Sequence, residues 1–170
     1  MTTSATFGFT SVLLLLSAAF GPIGKADTEH SFLGEVHGAA TAAPRGDAVF
    51  GTVPAVDGRA GSFSLSLGAR GDDGAVLFSR ASGARLSIGT YSITARDDEA
   101  DDVRALVVTG SANRPGGVFQ ARSGELVITA VSDSTIRGFF RLEATGFLAT
   151  EPEREDRTVT AAGTFAATGR

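Results

Sequence analysis

His30 and His37 are the chain's two histidines, and so the candidates for the base of a Ser-His-acid triad. Both stand near the start of the expected domain, and no Gly-x-Ser-x-Gly elbow accompanies them. His30 falls in a polar lead-in and His37 at the end of the first expected strand, where it reads as a polar strand-end residue. The chain has no cysteine. Thiol catalysis, cysteine-ligated zinc, iron–sulfur clusters and c-type haem attachment are therefore excluded. Glycosidic cleavage would need two carboxylates flanking a cleft. Glu125 and Glu143 are the acids borne on expected strands. Both fall on the polar face, as surface charge does.

The densest cluster of chemistry is Asp97, Asp98, Glu99, Asp101 and Asp102, five acids in six positions. Hard carboxylate oxygens on one loop suit Ca²⁺, although the central Gly and closing Glu of an EF-hand loop are missing. The alternative is a solvated connector, since like charges this close repel unless hydrated or metal-bound. Asp72-Asp73 reads as a hairpin turn, and the run from Glu151 to Asp156 as a charged, solvated loop. No other cofactor is expected. Phe139-Phe140 is of a different kind. Successive strand side chains point to opposite faces, so the two rings cannot both enter one core. With Phe140 inside beside Ile136 and Leu142, Phe139 lies outside between Arg137 and Arg141. That makes Phe139 a candidate partner-binding residue.

The elements that must position these residues are strands. From Asp27 onward short period-2 segments alternate with turn signals. Phe63, Leu65 and Leu67 oppose Ser62, Ser64 and Ser66; Tyr91, Ile93 and Ala95 oppose Ser92, Thr94 and Arg96. Leu126, Ile128 and Ala130 oppose Glu125, Val127 and Thr129; Ile136, Phe140, Leu142 and Ala144 oppose Arg137, Arg141 and Glu143. Val159, Ala161, Gly163 and Phe165 share the last apolar face. Further strands are expected at Phe32–His37, Ala48–Val53, Ala75–Arg80, Val103–Thr109 and Val118–Arg122. Turns are expected at Asp57-Gly58, Gly71–Gly74, Ser82-Gly83, Asn113–Gly117, Ser123-Gly124 and Ser132–Ser134. The expected fold is all-β: a single antiparallel β-sandwich or flattened up-and-down β-barrel of about 8–10 strands.

The 170 residues suffice for one domain. Hydrophobic residues at 42% and charged residues at 20% place the chain among globular proteins. Its net charge is −4, and Arg is scattered singly from Arg45 to Arg170. A mildly acidic surface without a basic stripe excludes phosphate-tracking nucleic-acid binding. Val12–Phe20 is an apolar run of signal-peptide length, too short to span a bilayer. Residues 1–26 are thus expected to be a signal peptide, cut after Ala19 or Ala26, with 27–170 as the single β-domain. Met1–Thr10 carries no Lys or Arg, which is atypical of such a peptide. Leu16-Ser17-Ala18-Ala19 resembles a bacterial lipobox with Ala19 in place of the lipidated Cys, so no lipid anchor is expected.

The later part of the chain has a cadence of its own. Gly89-Thr90-Tyr91-Ser92-Ile93 precedes Ser123-Gly124-Glu125-Leu126-Val127-Ile128-Thr129. Gly138-Phe139-Phe140-Arg141-Leu142-Glu143-Ala144 and a closing Gly163-Thr164-Phe165 follow. Over Gly89–Phe165 this resembles a group of uncharacterised exported or lipoprotein-like bacterial β-domains. The resemblance implies a fold and an extracytoplasmic location (periplasm, cell surface or secreted), and it brings no activity or catalytic residue. The expected function is that of a non-enzymatic binding or cell-envelope structural module. A calycin-like carrier of a small apolar ligand is the alternative, with Phe63, Leu65, Tyr91, Phe119, Phe140 and Phe165 lining a cavity. A hydrolase is the second alternative. The expected partner is a protein or envelope component, with no nucleic acid and no transmembrane span.

Overall fold

The fold is built from ten strands. A computed structural model describes residues 31–57, 59–68, 73–95, 102–111 and 113–170. The strands are β1 (Phe32–Gly38), β2 (Arg45–Gly46), β3 (Ala48–Val53), β4 (Ser62–Leu67) and β5 (Gly74–Arg80). They continue with β6 (Gly89–Thr94), β7 (Arg104–Ser111), β8 (Arg114–Val131), β9 (Thr135–Leu148) and β10 (Arg157–Gly169). All belong to one sheet, and no helix occurs among the described residues.

The long strands β8, β9 and β10 form a central antiparallel meander. Each outer strand of this meander serves two partners along its free edge. On β8, the stretch Arg114–Gln120 pairs with β7 and Ser123–Ile128 pairs with β6. On β10, Val159–Phe165 pairs with β1, while Thr168 and Gly169 pair with Val49 and Phe50 of β3. From β3 the ladder runs through β4 and β5 to β7, back to the meander. The sheet thus folds over on itself as a flattened barrel. Its seam, β10 to β3, is the one parallel pairing among these strands and only two pairs long.

An 18-residue strand can serve two partners only if it coils, and β8 does so through irregularities at Ala121/Ser123 and Ile128/Ala130. Gly124 beside the first adopts φ 147°, a conformation that side-chain-bearing residues rarely take. These irregularities correct two expectations. Ser123-Gly124 is not a turn but lies inside β8, so the expected strands at Val118–Arg122 and from Leu126 are one. Ala130 leaves the buried face of Leu126 and Ile128 because the register slips between them. Strand geometry also begins at Arg114, so most of the expected Asn113–Gly117 turn belongs to β8.

The core holds the residues that alternation assigned to it, among them Phe63, Leu65, Leu67, Leu126, Ile136, Phe140 and Phe165. Its packing explains the recurring Gly-x-Phe pattern. β9 and β10 pair so that Gly163 faces Phe140 and Gly138 faces Phe165. A Cβ added at Gly163 would lie 3.0 Å from Phe140 Cε1, and one at Gly138 3.0 Å from Phe165 Cζ. Each ring therefore lies over the glycine of the other motif. Phe140 also meets Phe78 edge-on, with centroids 5.2 Å apart, and Phe32 at 6.3 Å. Such aromatic pairs add about 0.5–1.5 kcal/mol beyond their buried area.

Candidate interaction surface

Residues opposite the core on β1, β10, β9, β8 and β6 form rows across the outside of the sheet. Leu33, Thr164, Phe139, Val127 and Thr90 stand side by side in one row. Phe139 is half-buried and outside the core, as its position beside Phe140 requires. Leu33, at the end of the row, is 55% exposed. The sequence placed Phe139 on the outer face; the register shows its apolar neighbours. Nothing in the spacing of Leu33, Val127 and Phe139 along the chain could have revealed that they align.

The next row is Glu35, Ala162, Arg141, Glu125 and Ser92, followed by His37, Thr160, Glu143, Ser123 and Thr94. Small residues between the charged ones leave a shallow, open depression bordered by Glu35, His37, Arg141 and Glu143. Arg141 Nε donates to Glu125 Oε1 at 2.8 Å, a cross-strand ion pair. His37 Nε2 lies 3.4 Å from Glu35 Oε2, and both side chains are well exposed.

This arrangement does not make a triad. His37 and Ser123 stand three strands apart, about 14 Å at the usual strand spacing, beyond the reach of a serine–histidine hydrogen bond. Glu125 and Glu143 are diagonal neighbours on adjacent strands, but the Arg141 guanidinium holds the Glu125 carboxylate as an ion-pair partner. An open sheet face also gives no water-excluded cleft around either acid.

Of the acidic run, Asp97, Asp98, Glu99 and Asp101 lie outside the described residues, as do His30 and residues 1–26. Asp102, just before β7, is half-buried. No group of three or more metal-ligating side chains comes together among the described residues. Among the described residues no helix is long and apolar enough to cross a membrane.

The charged segment after β9 is a solvated turn, as its composition predicts. Glu151 N–H donates to Leu148 O, and Arg154 N–H to Glu151 O. Arg157 Nε donates to Glu151 Oε2 at 3.0 Å. Arg154 beside Asp156 holds that carboxyl below its ordinary range, first through a hydrogen bond and then through charge.

The chain matches no family model, and no curated protein or solved structure matches it.

Proposed function

We propose that the domain is a non-enzymatic extracytoplasmic binding or envelope module that uses the outer face of β1, β10, β9 and β8. The supporting observation is the row in which Leu33, Phe139 and Val127 align beyond the core. Apolar side chains on an otherwise polar sheet face favour contact with another apolar surface. The flanking Arg141–Glu125 pair and the small Thr164 and Ala162 leave that contact accessible.

Export is read from the Val12–Phe20 run and the small residues at Ser17 and Ala19 or Gly24 and Ala26. With Ala19 in the lipobox cysteine position, the mature chain is cleaved without lipidation. Intact-mass measurement of protein recovered outside the cytoplasm checks this: the mature chain begins at Phe20 or Asp27. The resemblance of Gly89–Phe165 to exported β-domains supports the same location.

The carrier reading would need a void among Phe63, Leu65, Tyr91, Phe119, Phe140 and Phe165. Five of these are at most 5% exposed, and Tyr91 is half-buried against the core. A void wide enough for water would leave accessible area on its lining, so a packed core is the better account of them. The hydrolase reading finds no nucleophile–base contact at His37.

Phe139→Ser is the decisive variant. Self-association by light scattering and retention on the cell surface are both measured, and at least one is expected to fall. If both stay at wild-type levels with the fold intact, the Phe139 surface is not the binding face. A retained apolar ligand in native mass spectrometry would instead favour the carrier.

A further inference from the structure

Six large hydrophobic side chains are exposed among the described residues, and four of them gather at one end of the barrel. Val53 (61% exposed) closes β3 and Val56 (55%) sits in the β3–β4 turn. Ile88 (68%) precedes β6, whose first residue pairs with Ile128 of β8, and Val131 (37%) ends β8. Contacts join these segments into one surface. Gly61, at the foot of the β3–β4 turn, packs against Gly83 and Val53 O. Arg85, between β5 and β6, donates to Asp133 O at 2.9 Å and to Ser132 O in the β8–β9 turn. Gly169 N–H donates to Ser134 O, and Arg170 N–H to Phe50 O.

Charge at this end runs against that of the chain. Arg59, Arg137 and Arg170 are exposed there, with Asp57 and Asp133 beside them and the half-buried Asp102 at the start of β7, where Arg104 pairs with Ser79 of β5. At the opposite end, the β9–β10 turn carries Glu151, Glu153, Glu155 and Asp156 against Arg154 and Arg157, and Asp73 of the β4–β5 turn lies 3.9 Å from Arg45. The chain as a whole bears −4. One end therefore combines aliphatic tips with guanidinium groups, and the other pairs its acids with arginines and keeps only a small excess of them.

We propose that the Val53–Val56–Ile88–Val131 end docks on an anionic lipid surface. The aliphatic side chains enter the boundary between headgroups and acyl chains, and the guanidinium groups meet lipid phosphates. The four side chains are spread over three connections and include no aromatic anchor of the kind that dominates protein interfaces. A fluid surface accepts such scattered tips without a matching shape. The proposal rests on reading the domain as a binding module, but not on Phe139.

The test is flotation of the mature chain with phosphatidylcholine vesicles, with and without 30% phosphatidylglycerol. Binding is expected with phosphatidylglycerol and to fall several-fold from low to physiological salt. Val56→Asp with Ile88→Asp should reduce it at least tenfold. Arg59→Gln with Arg137→Gln should reduce it about 25-fold, at about fivefold per cation. All four positions are exposed, so the melting temperature should not move, and Phe139→Ser should bind as wild type. Absence of flotation, equal binding to pure phosphatidylcholine, or full binding by either double variant overturns the proposal. Capture of a protein through this end without vesicle binding overturns it in favour of a protein partner. Turnover of a substrate by the domain would overturn the underlying non-enzymatic reading instead.

Discussion

Phe165 of β10 stands opposite Gly138 of β9, its ring filling the space that a side chain at 138 would need. Phe140 and Gly163 repeat the relationship two residues along, with the strands exchanged. Thr164 and Phe139, the middle residues of the two motifs, are opposed on the outer face. One register thus packs two rings inward and sends Phe139 outward. The inner packing and the proposed binding row are consequences of the same strand pairing.

Alanine at Gly138 or Gly163 should destabilise the domain. At Gly138 the methyl would overlap Val127 O and press on Phe165; at Gly163 it would lie 2.7 Å from Leu33 O and 3.0 Å from Phe140. Backbone carbonyls cannot retreat as flexible side chains do, so each substitution is expected to cost about 2 kcal/mol or more. Gly51→Ala is the control, because its methyl would meet only Ser64 Oγ at 3.7 Å. That variant should stay within about 0.5 kcal/mol of wild type. Urea unfolding of the three variants checks the order.

Strand identity and facing were legible in the sequence because period-2 alternation is local. Phe63, Leu65 and Leu67 needed no partner strand to be assigned inward. Pairing was not legible, because register depends on residues far apart in the chain. Thus β6 leaves the meander order to pair with β8, and β7 takes its place beside β5. Glycine misled in one direction: Gly124 reads as a turn residue, yet it lets a continuous strand coil. The outer row behaved in the same way. Phe139 could be named from its neighbour Phe140, whereas Leu33, more than a hundred residues earlier, enters only through β10.

Thr109→Val should stabilise the protein. Thr109 is 4% exposed, and its Oγ1 is buried without a hydrogen-bond partner. Replacing an unpaired hydroxyl by a methyl of nearly the same shape removes a desolvation penalty of about 1 kcal/mol. Thr109→Ser keeps the hydroxyl and loses the methyl, so it should move stability the other way. Opposite shifts in melting temperature are expected; a fall for Thr109→Val would mean that the hydroxyl is satisfied in solution.

The Arg154–Asp156 pair gives a pH dependence of known sign. Asp156 ionises more readily in the folded turn than its ordinary 3.8, with Arg154 as the largest cause. Any stability it contributes is therefore present above that ordinary value and lost as pH falls through the lower folded one. Both groups are fully exposed, so solvent screening makes the effect on unfolding small. Carboxyl NMR should find Asp156 titrating below the usual range in wild type, and Arg154→Ala should return it upward.

Arg85 closes the end of the barrel at which the lipid surface is proposed. Its guanidinium lies 4.7 Å from the centre of the Phe50 ring, and it donates to Ser132 O, Asp133 O and Thr135 O. One cation thereby ties the β5–β6 connection to the β8–β9 turn and covers a ring at the β3 seam. Arg85→Met keeps much of the apolar stem but removes the donors, so the three carbonyls lose a charged partner. A loss of about 2 kcal/mol is expected. Lysine should recover only part of it, because one ammonium lacks the planar fork that reaches several carbonyls while stacking on a ring. A local readout separates this latch from general packing. Ser132 N–H donates to Thr135 O across the turn that Arg85 grips, so its hydrogen exchange should accelerate in Arg85→Met by more than the global loss of stability explains. Uniform acceleration along β8 and β9 would instead make Arg85 an ordinary packing residue.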